Sequence, residues 1–302
     1  MKQVKTKTRR AYVWLNGQIL PEARARISVL DRGFLYGDAV FETVRIYSGQ
    51  PFLWRRHYQR MTRSMGLLGM RRLTVDLGAA LLELTSACRF DDGAIRITIT
   101  RGIAEGLVPP EELEPTVLLM SRSIPPGLDS WRKTGVGVIR LPFGHGGKTI
   151  VTGHKTTEYA TAVQGRILAR RAEAFEAIYV EADGKVSEAT TANVFAVFGN
   201  TLQTPPLSAG CLPGITRQVV LEIAERTGFR VREAPLAATR LDRAHEIFLT
   251  GSVSEILPVT TLDGSPVGDG SPGPITQKLG AVYAERIHRH RRAAERAGSP
   301  RR

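Results

Sequence analysis

Several stretches of this chain carry side chains whose types and spacing can do chemistry. Arg60, in His57-Tyr58-Gln59-Arg60, offers a planar fork suited to bidentate capture of an anion. Arg96 and Arg101 lie in or just after one β-patterned run, at an odd separation that points them to opposite faces. Lys155 places a primary amine in Gly153-His154-Lys155-Thr156-Thr157, between a glycine-rich loop and a helix expected from about Thr157 to Phe175. A cation at a helix start opposes the helix dipole, a local conflict of the kind a functional residue leaves behind. Glu188 closes Lys185-Val186-Ser187-Glu188, and Ser252 sits in the run Leu249 to Ile256. Gly214-Ile215-Thr216-Arg217 opens another helix, where the free N–H groups of Ile215 and Thr216 favour an anion. Each also has an ordinary reading: a lone lysine or arginine is solvated, a glutamate after a turn faces water, and Pro213-Gly214 merely punctuates. Gly146-Gly147-Lys148-Thr149 imitates the end of a phosphate-binding loop, but the glycine the pattern needs is Pro142 and no helical period follows.

The elements that must position these residues read as α+β. Asn16-Gly17 between Tyr12–Leu15 and Gln18–Leu20 marks a hairpin. Val40–Tyr47, Ile95–Thr100 and Thr116–Met120 read as strands. Tyr58, Met61, Met65 and Leu68 recur at helical spacing, and Asp76–Cys88 forms a second apolar-striped helix. Ser123–Ser130, with Pro125-Pro126-Gly127, is the expected linker. The division is then an N-terminal α+β domain over 1–122, a linker over 123–135 and a C-terminal α+β domain over 136–302. Beyond the linker, strands are expected at Val136–Leu141, Ala177–Glu181, Asn193–Phe198, Leu202–Thr204 and Glu246–Thr250, with a last helix from Pro274.

Composition narrows the classes. The 302 residues are 42% hydrophobic, which excludes wholesale disorder. No apolar run approaches the roughly 20 residues that cross a bilayer. Cys88 and Cys211 make neither a disulfide framework nor a zinc cluster, so a reducing cytoplasm is expected. The net charge of +13 is concentrated at the ends: five basic residues in 1–10, and seven arginines against Glu295 in 286–302. The body is near neutral, and the ends read as frayed basic tails with no motif for reading nucleic acid.

Taken in order, the scattered signals resemble the fold-type-IV class of pyridoxal-phosphate enzymes: branched-chain aminotransferases, D-amino acid aminotransferases and aminodeoxychorismate lyases. The resemblance runs from about Val13 to Ile287 and also includes Asp31-Arg32-Gly33, Tyr36-Gly37-Asp38 and Val40-Phe41-Glu42. It implies a two-domain, D-amino acid aminotransferase-like fold, pyridoxal 5'-phosphate as cofactor and a homodimer. Lys155 matches the family's Schiff-base lysine, which moves the proton during catalysis. Glu188 matches the carboxylate facing the pyridine nitrogen. Arg60, Ile215, Thr216 and Ser252 match the phosphate ligands. Asn193 and Tyr159 complete the expected cofactor set, although the family's tyrosine sits one place after Tyr159. Tyr36, Arg96, Arg101 and Val253 are the expected substrate-side residues, with Arg101 resembling the carboxylate arginine of the D-enzymes and Arg96 that of the branched-chain enzymes.

The activity this implies is transfer of an amino group from a D-amino acid or branched-chain amino acid to a 2-oxo acid, through the pyridoxamine form of the cofactor. The rival within the family is β-elimination from aminodeoxychorismate, giving 4-aminobenzoate and pyruvate. The rivals outside catalysis are a basic module acting through its ends and an inactive relative. Ala94 replaces a tyrosine of the branched-chain enzymes, and the loop Ile103–Glu114 lacks the Arg-x-His element of the D-enzymes.

Overall fold

The computed structural model describes residues 12–89, 91–144 and 149–298. The basic residues of 1–10, the stretch Gly146-Gly147-Lys148 and the last arginines, Arg301 and Arg302, lie outside the described residues. The fold is α+β, as expected, and divides into two compact units: 12–124 with 155–157 and 289–298, and 125–154 with 158–288.

The first unit holds a sheet built from β1 (Tyr12–Leu15), β2 (Gln18–Pro21), β3 (Ala39–Tyr47), β4 (Gln50–Pro51), β5 (Asp92–Thr100) and β6 (Val117–Arg122), in the order β2-β1-β6-β5-β3-β4. Asn16 and Gly17 supply the positive φ angles, 46° and 90°, that close the β1–β2 turn. Between strands come α1 (Arg32–Tyr36), α2 (Trp54–Leu67) and α3 (Leu77–Cys88). Asp76 caps α3 by accepting from the Gly78 and Ala79 N–H groups, worth about 1 kcal/mol. Alternation along the strands sends Val40, Val44, Ile46, Ile95, Ile97 and Ile99 into one core with Met61, Met65, Leu81 and Leu84 of the helices. The opposite face carries Phe41, Thr43 and, in register with Thr43, Arg96. The expected stripe of α2 needs one correction: Tyr58 is exposed, while His57 and Arg60 are buried. A carboxylate on β3, Glu42, draws both inward.

The second unit begins with α4 (Leu128–Thr134), a helix inside the segment expected to be linker. Its sheet is built from β7 (Val136–Leu141), β8 (Glu176–Val180), β9 (Lys185–Ala189), β10 (Asn193–Phe198), β11 (Thr201–Thr204), β12 (Arg230–Glu233), β13 (Leu236–Ala237), β14 (Glu246–Gly251), β15 (Glu255–Leu262) and β16 (Ser265–Pro266). The order is β12-β11-β10-β14-β15-β7-β8-β9-β13, with β16 on β15. The helices are α5 (Ala160–Arg171), α6 (Ile215–Arg226) and α7 (Pro274–Gly298). Arg286, Arg289, Arg291, Arg292 and Arg296, expected to lie in a frayed tail, are helical in this last element. Arg291 is held by Asp92 at 2.6 Å and lies over the Tyr47 ring, which gives that turn partners solvent would not supply. No described helix is long and apolar enough to cross a membrane.

Candidate functional site

Lys155 does not start a helix. Residues 155–157 run as an extended segment beside β3: Phe41 N–H donates to the Lys155 carbonyl at 2.9 Å and Thr157 N–H to the Ala39 carbonyl at 3.0 Å. Lys155 N–H donates to Ser64 Oγ on α2 at 3.2 Å, and Thr157 Oγ1 to the Gly37 carbonyl at 2.7 Å. The helix that follows begins only at Ala160, because Thr157 commits its N–H and hydroxyl to the first unit. The expected conflict with a helix dipole therefore does not arise. Lys155 Nζ lies 4.4 Å from the centroid of the Phe41 ring, a face that attracts a cation. The Arg96 guanidinium lies 3.7 Å from the same centroid, and its Nε donates to Thr98 Oγ1.

Beneath the other sheet face, Arg60 is tied to the fully buried Glu42. Its Nε donates to Oε1 at 2.7 Å and its Nη2 to Oε2 at 2.8 Å. His57 Nδ1 meets Oε2 at 2.7 Å. Burial raises the Glu42 pKa, but the Arg60 and His57 charges and hydrogen bonds outweigh it, so the carboxyl is held well below its ordinary range. An ionised Glu42 only accepts, so His57 Nδ1 carries the proton. Burial lowers the His57 pKa, Glu42 pulls it back in part, and the Arg60 and Lys155 cations lower it further.

The two arginines expected on the substrate side have different fates. Arg101 donates Nε and Nη2 to Asp38 at 2.6 and 3.0 Å, and also reaches the Leu68 and Gly69 carbonyls. Asp38 holds Arg32 as well. Burial raises the Asp38 pKa, yet hydrogen bonds from Arg101 and Arg32 bring it net downward. Tyr36 is exposed, with the Arg32 guanidinium over its ring.

In the second unit, Glu188 projects from β9 rather than from a turn. Its Oε2 accepts from the Leu212 N–H at 3.0 Å and from Asn193 Nδ2 at 3.2 Å. Asn193 Nδ2 also donates to the Leu212 carbonyl, so it orients both the carboxylate and the loop before α6. Gly214 is the N-cap of α6 and makes no side-chain cap. A Cβ there would lie 2.0 Å from Asn193 Oδ1, so only glycine lets the helix start come this close. Ile215 and Thr216 occupy the first helical positions, both buried. Ser252 and Val253 follow β14 in a turn held by Arg132, whose Nη2 donates to the Val253 carbonyl, whose Nε donates to the Ser254 carbonyl and which pairs with Glu255. Tyr159 is the N-cap residue of α5. Thr250, buried on β14, has a hydroxyl without a hydrogen-bond partner among the described residues.

Residues 39–262 match the amino-transferase class IV family. The chain belongs to the class IV aminotransferases. It is 35% identical to a putative branched-chain-amino-acid aminotransferase of Methanocaldococcus jannaschii, over 88% of this chain and 93% of that one. It is 30% identical to a D-alanine aminotransferase of Staphylococcus aureus, over 92% and 98%. Its fold superposes with a TM-score of 0.83 on the branched-chain aminotransferase of the thermophilic archaeon Thermoproteus uzoniensis with norvaline, at 29% identity and over 91% and 94% of the two chains. A second solved branched-chain amino acid aminotransferase, with pyridoxamine 5'-phosphate, superposes with a TM-score of 0.85 at 27% identity, over 92% and 94%. The family's fold type IV and its cofactor, pyridoxal 5'-phosphate, are therefore those of this class IV aminotransferase.

The residues fit that cofactor. An amine on an aromatic face suits an aldehyde, and a fixed carboxylate suits a protonated ring nitrogen. A glycine-opened helix start without a side-chain cap suits a phosphate. Among the groups packed around these candidates, sequence reasoning gives no role to Glu42, His57, Asp38, Arg132 or Thr250. Glu42 has a signal: an acid at an inward position of an apolar strand must find a cation inside the core. Thr250 has none, because a threonine in a strand is ordinary.

Proposed function

We propose that this aminotransferase takes the amino group of a branched-chain α-amino acid and passes it to a 2-oxo acid. The observation that carries this reading is the contrast between Arg96 and Arg101. Arg101, which resembles the carboxylate arginine of the D-enzymes, is committed to Asp38 and two backbone carbonyls. Arg96, which resembles that of the branched-chain enzymes, shares the Phe41 ring with Lys155. An α-carboxylate held by Arg96 leaves the adjacent Cα within reach of the Lys155 amine.

When bound, pyridoxal phosphate supplies an aldehyde to receive the amino group and a ring that accepts the electron pair left at Cα. Lys155 Nζ holds the cofactor and then, as a free amine, takes the Cα proton and returns it on the cofactor side. Glu188 keeps a negative charge against the ring nitrogen, with Asn193 and Leu212 fixing its direction. Arg60 and the N–H groups of Ile215 and Thr216 bind the phosphate, with Ser252 adding a hydroxyl. Tyr159 and Val253 line the cofactor and substrate sides.

The same reading makes the protein a homodimer in the cytoplasm. Val29, Phe34, Leu107 and Val108 of the first unit are 72–86% exposed. Arg32 ties their segments together through the Gly106 and Leu107 carbonyls, so this ordered apolar surface is presented for a second copy. Both cysteines are free and buried, as a reducing compartment allows.

The test is a half-reaction. Purified holoenzyme is mixed with L-leucine, L-valine or D-alanine without acceptor, and loss of the aldehyde-form absorbance is followed. Conversion by the branched-chain L-amino acids is expected. Conversion by D-alanine alone overturns the substrate, and pyruvate release from aminodeoxychorismate with no conversion by amino acids overturns transamination.

A further inference from the structure

Thr250 stands on β14 with 2% of its surface exposed, and its Oγ1 meets no hydrogen-bond partner among the described residues. The large majority of buried side-chain polar atoms in folded proteins are satisfied, so an unsatisfied hydroxyl points to a place that something else completes. The register locates that place. Thr250 pairs directly with Asn193 across the antiparallel β10–β14 ladder, and directly opposed residues project from the same face with adjacent side chains. Asn193 in turn packs against the Gly214 Cα, the N-cap of α6, where an added Cβ would strike Asn193 Oδ1. The hydroxyl therefore shares its sheet face with the start of a twelve-residue helix that has no side-chain cap. Two independent features, a helix start rich in N–H donors and an unsatisfied buried hydroxyl, lie one strand apart. Gln203 Oε1 and Arg217 Nε are also unsatisfied in this unit, but each belongs to a side chain anchored elsewhere, Gln203 to the Pro235 carbonyl and Arg217 to Glu233 and the Pro205 carbonyl.

We propose that Thr250 is a further ligand of the cofactor phosphate, its Oγ1 donating to an oxygen that the Ile215 and Thr216 N–H groups also hold. This rests on the reading that places the phosphate at the start of α6. A hydroxyl suits the position better than a second cation. The start of α6 already offers its N–H groups to the dianion, and a neutral donor adds direction without adding charge that would have to be desolvated when the site is empty. Thr250 also lies two residues before Ser252, so one strand end delivers two hydroxyls to the same anion.

The test separates phosphate from ring. The full-length enzyme is resolved of its cofactor and titrated with pyridoxal 5'-phosphate and with pyridoxal, which lacks the phosphate. Thr250→Val is expected to weaken binding of the phosphorylated form roughly tenfold, leave pyridoxal within about twofold, and shift the phosphorus magnetic resonance of the bound cofactor. Thr250→Ser, which keeps the hydroxyl, is expected to restore both. Equal weakening of the two ligands, or no weakening of either, overturns the assignment. Should valine unfold the strand, Thr250→Ala carries the same comparison. If wild-type protein binds the two forms equally, the phosphate reading itself fails, and that result is distinguishable from a null effect at Thr250 alone.

Discussion

The two regions proposed to hold an anion are built differently. In the first unit the donor is a full cation, Arg60, buried and neutralised in advance by Glu42, which His57 holds in turn. In the second unit the donors are backbone N–H groups at the start of α6, opened by Gly214 and without a side-chain cap. The carboxylate there, Glu188, is fixed by neutral donors. A buried cation needs a buried counter-charge to exist before its ligand arrives, whereas a helix start carries only partial charge and needs none. The first arrangement makes folding and ligand binding depend on the same ion pair. The second leaves the ligand groups independent of stability.

The largest effect expected falls on the amine itself. Lys155→Ala should lower turnover by about four powers of ten, the upper end of what a positioned proton-transfer group contributes. It should also abolish the cofactor adduct that borohydride traps on the peptide containing residue 155 in the wild type. An adduct on another lysine of the wild-type protein removes the basis for every catalytic role assigned above. Because the Lys155 backbone is held by Ser64 and Phe41 through main-chain atoms, the variant should unfold at nearly the wild-type temperature.

The sharpest test of the contrast between regions is Glu42→Gln against Glu188→Gln. Removing the charge of Glu42 leaves Arg60 buried without its counter-ion, a loss of about 3–5 kcal/mol of stability. Glu42→Gln should therefore lower the melting temperature of the cofactor-free protein and weaken cofactor binding together. Glu188→Gln should leave melting within a degree or two and retain the cofactor, while turnover falls about a hundredfold. Equal melting losses in both variants would show that the two regions do not differ in the way described.

These differences mark the limit of what the sequence discloses. Lys155, Glu188 and the Gly214-Ile215-Thr216 helix start are read as candidates through the order of their motifs along the chain, because each short motif alone has an ordinary reading. The hairpin at Asn16-Gly17 and the alternation of β3 and β5 are legible because short-range geometry dictates them. Periodicity starts the helix after Lys155 three residues too early, since only the tertiary bonds from Thr157 to Gly37 and Ala39 stop it. The pairing that sets Arg101 apart from Arg96 is with Asp38, 63 residues away from Arg101 in the chain. The strand carrying Glu188 is five residues long and begins at Lys185, too short and polar for periodicity to declare it. The His57–Glu42–Arg60 cluster joins a strand to a helix, and no spacing rule within either element announces it.

The smallest effect expected is a pH dependence confined to the first unit. His57 is held below its ordinary value of 6.5, chiefly by burial, with Glu42 pulling against that and the Arg60 and Lys155 cations adding to it. Below pH 6.5 the unfolded chain takes up a proton at this position and the native protein does not, so stability present above that pH is lost as the pH falls. One such group contributes at most about 1.4 kcal/mol per pH unit. Glu42, held low, works in the same direction in a lower window. Its contribution is present above its ordinary value of 4.5 and is lost below it. Between pH 6.5 and 4.5 the decline therefore belongs to the histidine. His57→Asn places an uncharged donor near the Nδ1 position and cannot take up that proton in either state. Melting of the variant should be lower than wild type at about pH 8, because the hydrogen bond to Glu42 is less well placed, and the gap should narrow as the pH falls to about 5. A gap that stays constant across that range would mean that His57 titrates alike in the folded and unfolded chain, and that Glu42 alone accounts for the acid sensitivity of the region.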